Sequence, residues 1–148
     1  MKIYPSAKHK LTIWLYWFFV VFMLVILVFP ILEEGFTWSI ILLSIFHLIF
    51  VIFFISILFT TNYTLKNEEL LCKSSIFRSK IQIKNIRKIQ YHKGIFIPVI
   101  WKLGLSHEGI IITYNKYDDI YISPENKEAF INDLLTINPS IEIIQAKK

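Results

Sequence analysis

Two long uncharged segments decide the fold of this chain: LTIWLYWFFVVFMLVILVFPIL at Leu11–Leu32 and FTWSIILLSIFHLIFVIFFISILFTT at Phe36–Thr61. Only Glu33-Glu34-Gly35 separates them. At 1.5 Å per residue, about 20 apolar residues form a helix that spans a hydrocarbon core of roughly 30 Å. Each segment is long enough for one crossing, and the short connection predicts an antiparallel transmembrane hairpin.

The charges lie outside this apolar region and give it an orientation. The 148 residues are 55% apolar with a mean hydropathy of +0.54, above the roughly 45–50% apolar content of soluble domains. Lysines stand before the first segment, nine Lys and Arg residues occupy 66–102, and the connection holds only Glu33 and Glu34. Because basic residues favour the cytoplasmic side, we expect a multi-pass cell-membrane protein with both termini cytoplasmic. The predicted parts are a basic tail (1–10), the hairpin (11–61, with helices 11–32 and 36–61) and a cytoplasmic domain (62–148).

Composition also excludes several classes of protein. The single cysteine, Cys72, has no partner for a disulfide framework, and four scattered histidines give no zinc-ligand spacing. No nucleophile and base stand at a motif spacing, and no nucleic-acid motif accompanies the basic residues. We therefore expect no catalytic residues, metal, cofactor or nucleic-acid partner. His47 is expected to be a neutral imidazole bonded to Ser44, Thr12 or a backbone carbonyl; a proton relay is the alternative.

After residue 62 the hydrophobic pattern alternates, which is typical of strands. One strand is expected to place Phe77, Ser79, Ile81 and Ile83 on a single face. A final helix begins with Ser123 as its N-cap and Pro124 in its first turn, and it buries Phe130 and Leu134. Seven strands are predicted: 63–66, 70–73, 77–84, 86–91, 103–106, 110–114 and 120–123. Short strands without intervening helices predict two packed antiparallel sheets or a partly open barrel, capped by the C-terminal helix.

The order of these elements resembles that of the pleckstrin-homology (PH) superfold. The stretch Lys102–Tyr114, the motif Ile122-Ser123-Pro124 with Phe130, and the closing Asn138-Pro139 resemble a bacterial PH-like family that includes YyaB-like proteins and was formerly a domain of unknown function. The family pattern has a basic residue where Gly109 stands. The resemblance implies an α+β PH-like domain behind amino-terminal membrane helices, and it brings no catalytic residues.

Two features are candidates for a binding site. The first is a basic set, and its members are Lys80, Lys84, Arg87, Lys88 and Lys93. Close to an anionic leaflet, each such residue adds about 1 kcal/mol of attraction. One interpretation is therefore docking on acidic lipid headgroups, and the other is an ordinary solvated face.

The second candidate is the apolar segment Gly94–Trp101, which includes Phe96 and lies between Lys93 and Lys102. Pro98 argues against a central strand. Three interpretations stay open: a loop in the membrane interface anchored by Trp101, a groove for a partner peptide, or a loop folded over the open end of the barrel.

The sequence favours a membrane-anchored PH-like binding module that acts at the lipid bilayer on a protein segment, on a membrane protein or on acidic lipid headgroups. Two alternatives remain. Architecture alone relates the chain to bacteriocin immunity proteins. An accessory subunit of a transporter is the other, since two helices cannot enclose a pathway by themselves.

Overall fold

The computed structural model describes residues 1–145, which fall into two units. The helical unit covers Lys10–Phe59. The β domain combines Met1–His9 with the chain from Thr60 onward. The helical unit is thus an insertion into the β domain rather than a segment that precedes it.

The helical unit consists of α1 (Lys10–Glu34) and α2 (Trp38–Thr60), each long and apolar enough to cross a membrane. The chain reverses at Gly35, whose φ of +71° is accessible to glycine at little cost. Its N–H donates to Ile31 O over 3.0 Å, which caps α1. Phe19 on α1 contacts Phe54 on α2 with ring centroids 4.6 Å apart.

His47 lies on α2, and its Nδ1 is 2.8 Å from Leu43 O, one helical turn earlier. The expected bond to a backbone carbonyl is therefore confirmed. This bond occupies one ring nitrogen and ties the imidazole to its own helix.

The β domain contains two sheets and a C-terminal helix. The first sheet has the antiparallel order β1–β2–β3–β4. Its strands are Lys2–Pro5 (β1), Asn62–Lys66 (β2), Glu69–Ser74 (β3) and Phe77–Gln82 (β4). The second sheet has the order β6–β8–β7–β5–β9. Its strands are Ile86–Lys93 (β5), Trp101–Lys102 (β6), Glu108–Tyr114 (β7), Asp118–Ile122 (β8) and Glu142–Ile144 (β9). A short 3₁₀ turn, Ile83–Asn85, joins the sheets, and the helix α3 is Lys127–Ile137.

The first strand differs from the expected basic tail. Lys2–Pro5 pairs with β2 so that Pro5 lies opposite Asn62, and Ser6 N–H donates to Thr61 O over 3.3 Å. The residues before α1 and those after α2 are therefore hydrogen-bonded to each other. We call this end of the β domain, marked by Ser6 and Thr61, the attachment end.

A buried polar cluster fixes the attachment end. The Tyr63 hydroxyl donates to Leu103 O over 2.8 Å and accepts the Ser123 N–H over 3.1 Å. Ser6 Oγ lies 3.0 Å from Ser123 Oγ and 3.1 Å from the same Tyr63 hydroxyl. Among the described residues, no buried side-chain nitrogen or oxygen lacks a partner. The cluster therefore joins the amino-terminal segment to both sheets without an unsatisfied group.

The helix α3 covers the core as predicted, because Phe130 and Leu134 are fully buried. Its start was predicted wrongly. The N-cap is Asn126, whose side chain accepts the Ala129 N–H over 3.0 Å. Ser123 lies four residues before α3 begins, and its hydroxyl instead accepts the Leu105 N–H over 3.0 Å within the polar cluster.

The strand predicted over 103–106 is also different. The structure has β6 at Trp101–Lys102 instead, and Leu105 makes only an isolated bridge to Lys8 while its N–H donates to the Ser123 hydroxyl over 3.0 Å. Two pairs in the second sheet are parallel, β6 with β8 and β5 with β9, where antiparallel strands were expected. The strands β1 and β9 come in addition to the predicted seven.

Candidate functional site

The predicted basic set does not form one surface. Lys80 on β4 makes an ion pair with Glu69 over 2.9 Å, and Lys93 at the end of β5 makes one with Glu108 over 2.9 Å. These hydrogen bonds from lysine lower the pKa of both carboxyl groups. A neighbouring carboxylate thus compensates the charge of each of these lysines.

The other three basic residues come together around one cavity. Lys84, Arg87 and Lys88 line a surface cavity of about 520 Å³ near the start of β5. Thr113, Ser140 and Glu142 are polar residues that also line it. Three cations and one carboxylate leave this basic cavity with an excess of positive charge.

A break in the strand register helps to bring these residues together. Ile86 lies opposite Tyr114 and Lys88 opposite Thr113, so Arg87 is an extra residue in β5. Successive side chains of a regular strand point to opposite faces, and a bulge redirects the extra one. Arg87 Nη1 also donates to Lys116 O over 3.3 Å, which holds the guanidinium beside the turn between β7 and β8.

The basic cavity lies far from the attachment end. The strand β5 runs from Ile86 toward Lys93, which lies opposite Glu108 at the start of β7. The neighbouring His107 contacts His9, the last residue before α1, with ring centroids 4.1 Å apart. At about 3.3 Å per residue, Arg87 and Lys93 are separated by about 20 Å along the strand.

The predicted residues Phe96 and Trp101 belong to the other end of the domain. Phe96 is 83% exposed, and Ile95 and Ile100 in the loop Gly94–Trp101 are exposed as well, whereas Ile97 and Val99 are half-buried. Trp101 contacts Phe77 with ring centroids 6.0 Å apart. Phe77 was expected on the inner face with Ile81, but it is 40% exposed, whereas Ile81 is buried.

The turn between β3 and β4 was missed as a functional candidate. Ile76 in this turn is 73% exposed, and it follows Ser75, whose φ is +52°. The pair Ser74-Ser75 was the available signal, since serine is common in turns. Packing in the core therefore does not explain why an isoleucine stands at this exposed position.

A second cavity, of about 750 Å³, opens beside the start of α3. Tyr4 and Tyr91 line it together with Glu125, Lys127 and Glu128. Its charges have both signs and do not favour an anion. The basic cavity therefore remains the better candidate for binding an acidic group.

The described residues contain no group of three or more His, Cys, Asp and Glu side chains placed to hold a metal ion. Cys72 is buried in β3, and burial raises the pKa of its thiol. This environment is that of an inert core cysteine rather than of a reactive one.

Comparison with known proteins identifies the β domain. The family model described as the bacterial PH domain matches residues 61–138, more than half of the chain. The matched range extends from the start of β2 to the end of α3, which is the β domain without its amino-terminal segment and β9. No curated protein and no solved structure matches the chain. On the strength of the matched family, this chain belongs to the bacterial PH domain family.

Proposed function

We propose that this chain is a membrane-anchored PH domain whose two inserted helices cross the bilayer as a hairpin and hold the domain at the cytoplasmic surface. The pairing of Pro5 with Asn62 across the insertion carries this proposal. Strands that are hydrogen-bonded to each other lie on the same side of a membrane. The chain between them must therefore cross an even number of times, which two helices satisfy.

The surface of the helices supports a lipid environment. Large apolar side chains are exposed on both helices, including Trp14 at 72% and Ile52 at 65%. Unsatisfied backbone groups are costly in hydrocarbon, and helices satisfy nearly all of theirs internally. In water, the same exposed surface would drive aggregation.

The distribution of basic residues supports a cytoplasmic domain. Lys8 precedes α1 and Lys10 is its first residue, and Lys66 and Lys73 follow α2, whereas the connection around Gly35 has no basic residue. Basic residues within about 15–20 positions of a membrane helix favour the cytoplasmic side.

Within this arrangement, the basic cavity is the proposed ligand site, and its proposed ligand is an acidic segment of a partner protein. Arg87 lies about 20 Å along β5 from Lys93 at the attachment end. The Debye length at physiological ionic strength is about 8 Å. The attraction between the basic cavity and the headgroups of a bilayer at the attachment end would be strongly screened over that distance. A partner that approaches the cavity from the cytoplasm would not face this separation.

Labelling of single cysteines on intact cells tests the topology. Cys72 is replaced by alanine, and one cysteine is placed at Phe36 in the connection or at Lys116 in the β domain. A membrane-impermeant maleimide is expected to label the Phe36→Cys variant from outside and the Lys116→Cys variant only after permeabilisation. Labelling of Lys116→Cys in intact cells would contradict the proposed orientation.

A pair of matched variants tests the ligand site. The first replaces Lys84, Arg87 and Lys88 with alanine. The control replaces Lys66, Lys73 and Lys80 of the first sheet, of which two are exposed and one is half-buried, as in the first set, and which carry the same total charge. A partner recovered in mild detergent with the wild type and the control, but not with the first variant, supports the proposal. Equal recovery with both variants would assign binding to another surface.

A further inference from the structure

The attachment end carries exposed apolar side chains that do not pack in the core of the PH domain. Ile76 belongs to the turn Ser74–Phe77, and Phe96 belongs to the loop Gly94–Trp101. We infer that this turn and this loop form one membrane-inserting surface that seats the β domain in the headgroup region of the bilayer crossed by the helices. The inference rests on the proposed membrane anchorage and adds a second, interfacial contact to it.

The position of the turn is fixed by the end of α2. Ser75 N–H donates to Oγ1 of Thr60, the last residue of α2, over 2.9 Å. Thr61 Oγ1 lies 2.9 Å from Ser74 Oγ. The turn is therefore held by two hydrogen bonds at the level where α2 ends.

The distances then decide where Ile76 lies. Consecutive Cα atoms are about 3.8 Å apart, so Ile76 is one step from a residue bonded to Thr60. The headgroup region on each side of the hydrocarbon core is roughly 5–8 Å thick. If α2 ends at the edge of the hydrocarbon, Ile76 and Phe77 fall within that region.

The loop Gly94–Trp101 is tied to the same end of the domain at both of its limits. Gly94 N–H donates to His107 O over 3.0 Å, and His107 contacts His9 just before α1. At the other limit, the Trp101 ring contacts Phe77. The loop therefore begins close to His107 and His9 and ends beside the turn.

Three large apolar side chains between these limits are exposed, whereas Ile97 and Val99 are half-buried. Ile95 is 87% exposed, Phe96 is 83% exposed and Ile100 is 99% exposed. A loop folded over the open end of the barrel would bury such residues. Their exposure therefore favours insertion into an apolar medium over the packing interpretation.

The residue types around this surface suit a bilayer better than a protein groove. Trp101 is an aromatic residue of the kind enriched at membrane interfaces, and Lys102 and Arg78 are exposed basic residues beside it. Glu108, an acidic residue at this end, is paired with Lys93. Apolar side chains with a basic rim complement an anionic leaflet.

Fluorescent labelling of the full chain in nanodiscs of phosphatidylcholine and phosphatidylglycerol tests the inference. With Cys72 replaced by alanine, single cysteines at Ile76, Phe96 and Ile100 carry an environment-sensitive NBD group. The control is Tyr117→Cys, since Tyr117 is also an exposed aromatic residue (80%) but lies in the turn between β7 and β8, beside the basic cavity. The expected result is a blue-shifted emission and strong quenching by shallow doxyl lipid at the first three positions, and neither at 117.

A fifth label at Val25, within α1, distinguishes the two ways of failing. If Val25 is quenched by deep doxyl lipid while positions 76, 96 and 100 behave like 117, the anchorage stands and the inserting surface is refuted. If Val25 is not quenched, the anchorage fails, and the inserting surface fails with it.

Discussion

The polar cluster at the attachment end gives the sharpest prediction, which is the effect of Tyr63→Phe. The substitution removes one oxygen and keeps the ring, which contacts Phe130 with centroids 6.3 Å apart. Without the hydroxyl, Leu103 O loses a donor and Ser123 N–H loses an acceptor. Both groups belong to residues that are at least 95% buried, so water does not readily replace the lost bonds.

The expected cost follows from these two groups. Leaving a buried polar group unsatisfied costs about 1–3 kcal/mol. Partial rearrangement toward Ser6 Oγ, 3.1 Å from the hydroxyl, lowers the sum. We therefore expect about 3 kcal/mol of destabilisation of the β domain, which corresponds to about a 100-fold change in an opening equilibrium.

The single cysteine provides the assay. Cys72 on β3 is 1% exposed and lies opposite Tyr63 on β2, so a thiol reagent reaches it only when this sheet opens. When closing is faster than labelling, the labelling rate follows the population of the open state. In nanodiscs at pH 7, Tyr63→Phe should label about 100-fold faster than the wild type. In this regime the labelling rate of Cys72 is proportional to the reagent concentration, so measuring the rate at several concentrations verifies the assumption.

The matched control is Tyr117→Phe, which removes a hydroxyl from an exposed ring. Surface changes of this kind are usually within about 0.5 kcal/mol, so its labelling rate should change about twofold or less. If Tyr63→Phe also stays within about threefold of the wild type, the polar cluster does not hold the sheets together and the reasoning is refuted.

Three further predictions use the same domain. Gly109→Ala places a Cβ 2.4 Å from Ile122 O, a backbone atom that cannot move freely, and should raise the labelling rate by more than about tenfold. Asn126→Ala removes the N-cap of α3 at a cost of about 1 kcal/mol, and should raise that rate about fivefold. Hydrogen bonds from Lys2 and from the Tyr4 hydroxyl lower the pKa of Asp133. The stability that these bonds contribute is therefore present above about pH 4 and is lost as the pH falls through the pKa of Asp133 in the folded protein. The thermal unfolding midpoint should therefore fall less on acidification in Asp133→Asn than in the wild type, and equal falls would contradict this.

Much of the fold was predictable because its signals are local. The bounds of α1 and α2 differ by at most two residues from those of the predicted helices, since long uncharged segments leave little ambiguity. The burial of Phe130 and Leu134 followed from helical spacing. The choice of Asn126 over Ser123 as N-cap did not, because it depends on an acceptor needed by Leu105, which comes from a different loop.

The candidate site was less predictable because it depends on register. The sequence identified Lys93 as a basic residue, but its partner Glu108 lies opposite it only in the pairing of β5 with β7. Likewise, Arg87 lines the basic cavity beside an irregularity in that pairing. Register and bulges depend on contacts between distant strands and leave little trace in a single sequence.

The strand β1 was also not predictable from the sequence, and its pairing with a distant strand constrains the order in which the domain assembles. Lys2–Pro5 is too short to display a period, and its partner Asn62–Lys66 follows both helices in the chain. During synthesis, β1 has no sheet to join until α1 and α2 have been made. Ser6 likewise meets Ser123 only when most of the β domain exists. Closing such long-range pairs is slow compared with forming helices. The helical pair is therefore expected to form before the β domain closes, and the closed sheet then hydrogen-bonds the residues before α1 to those after α2.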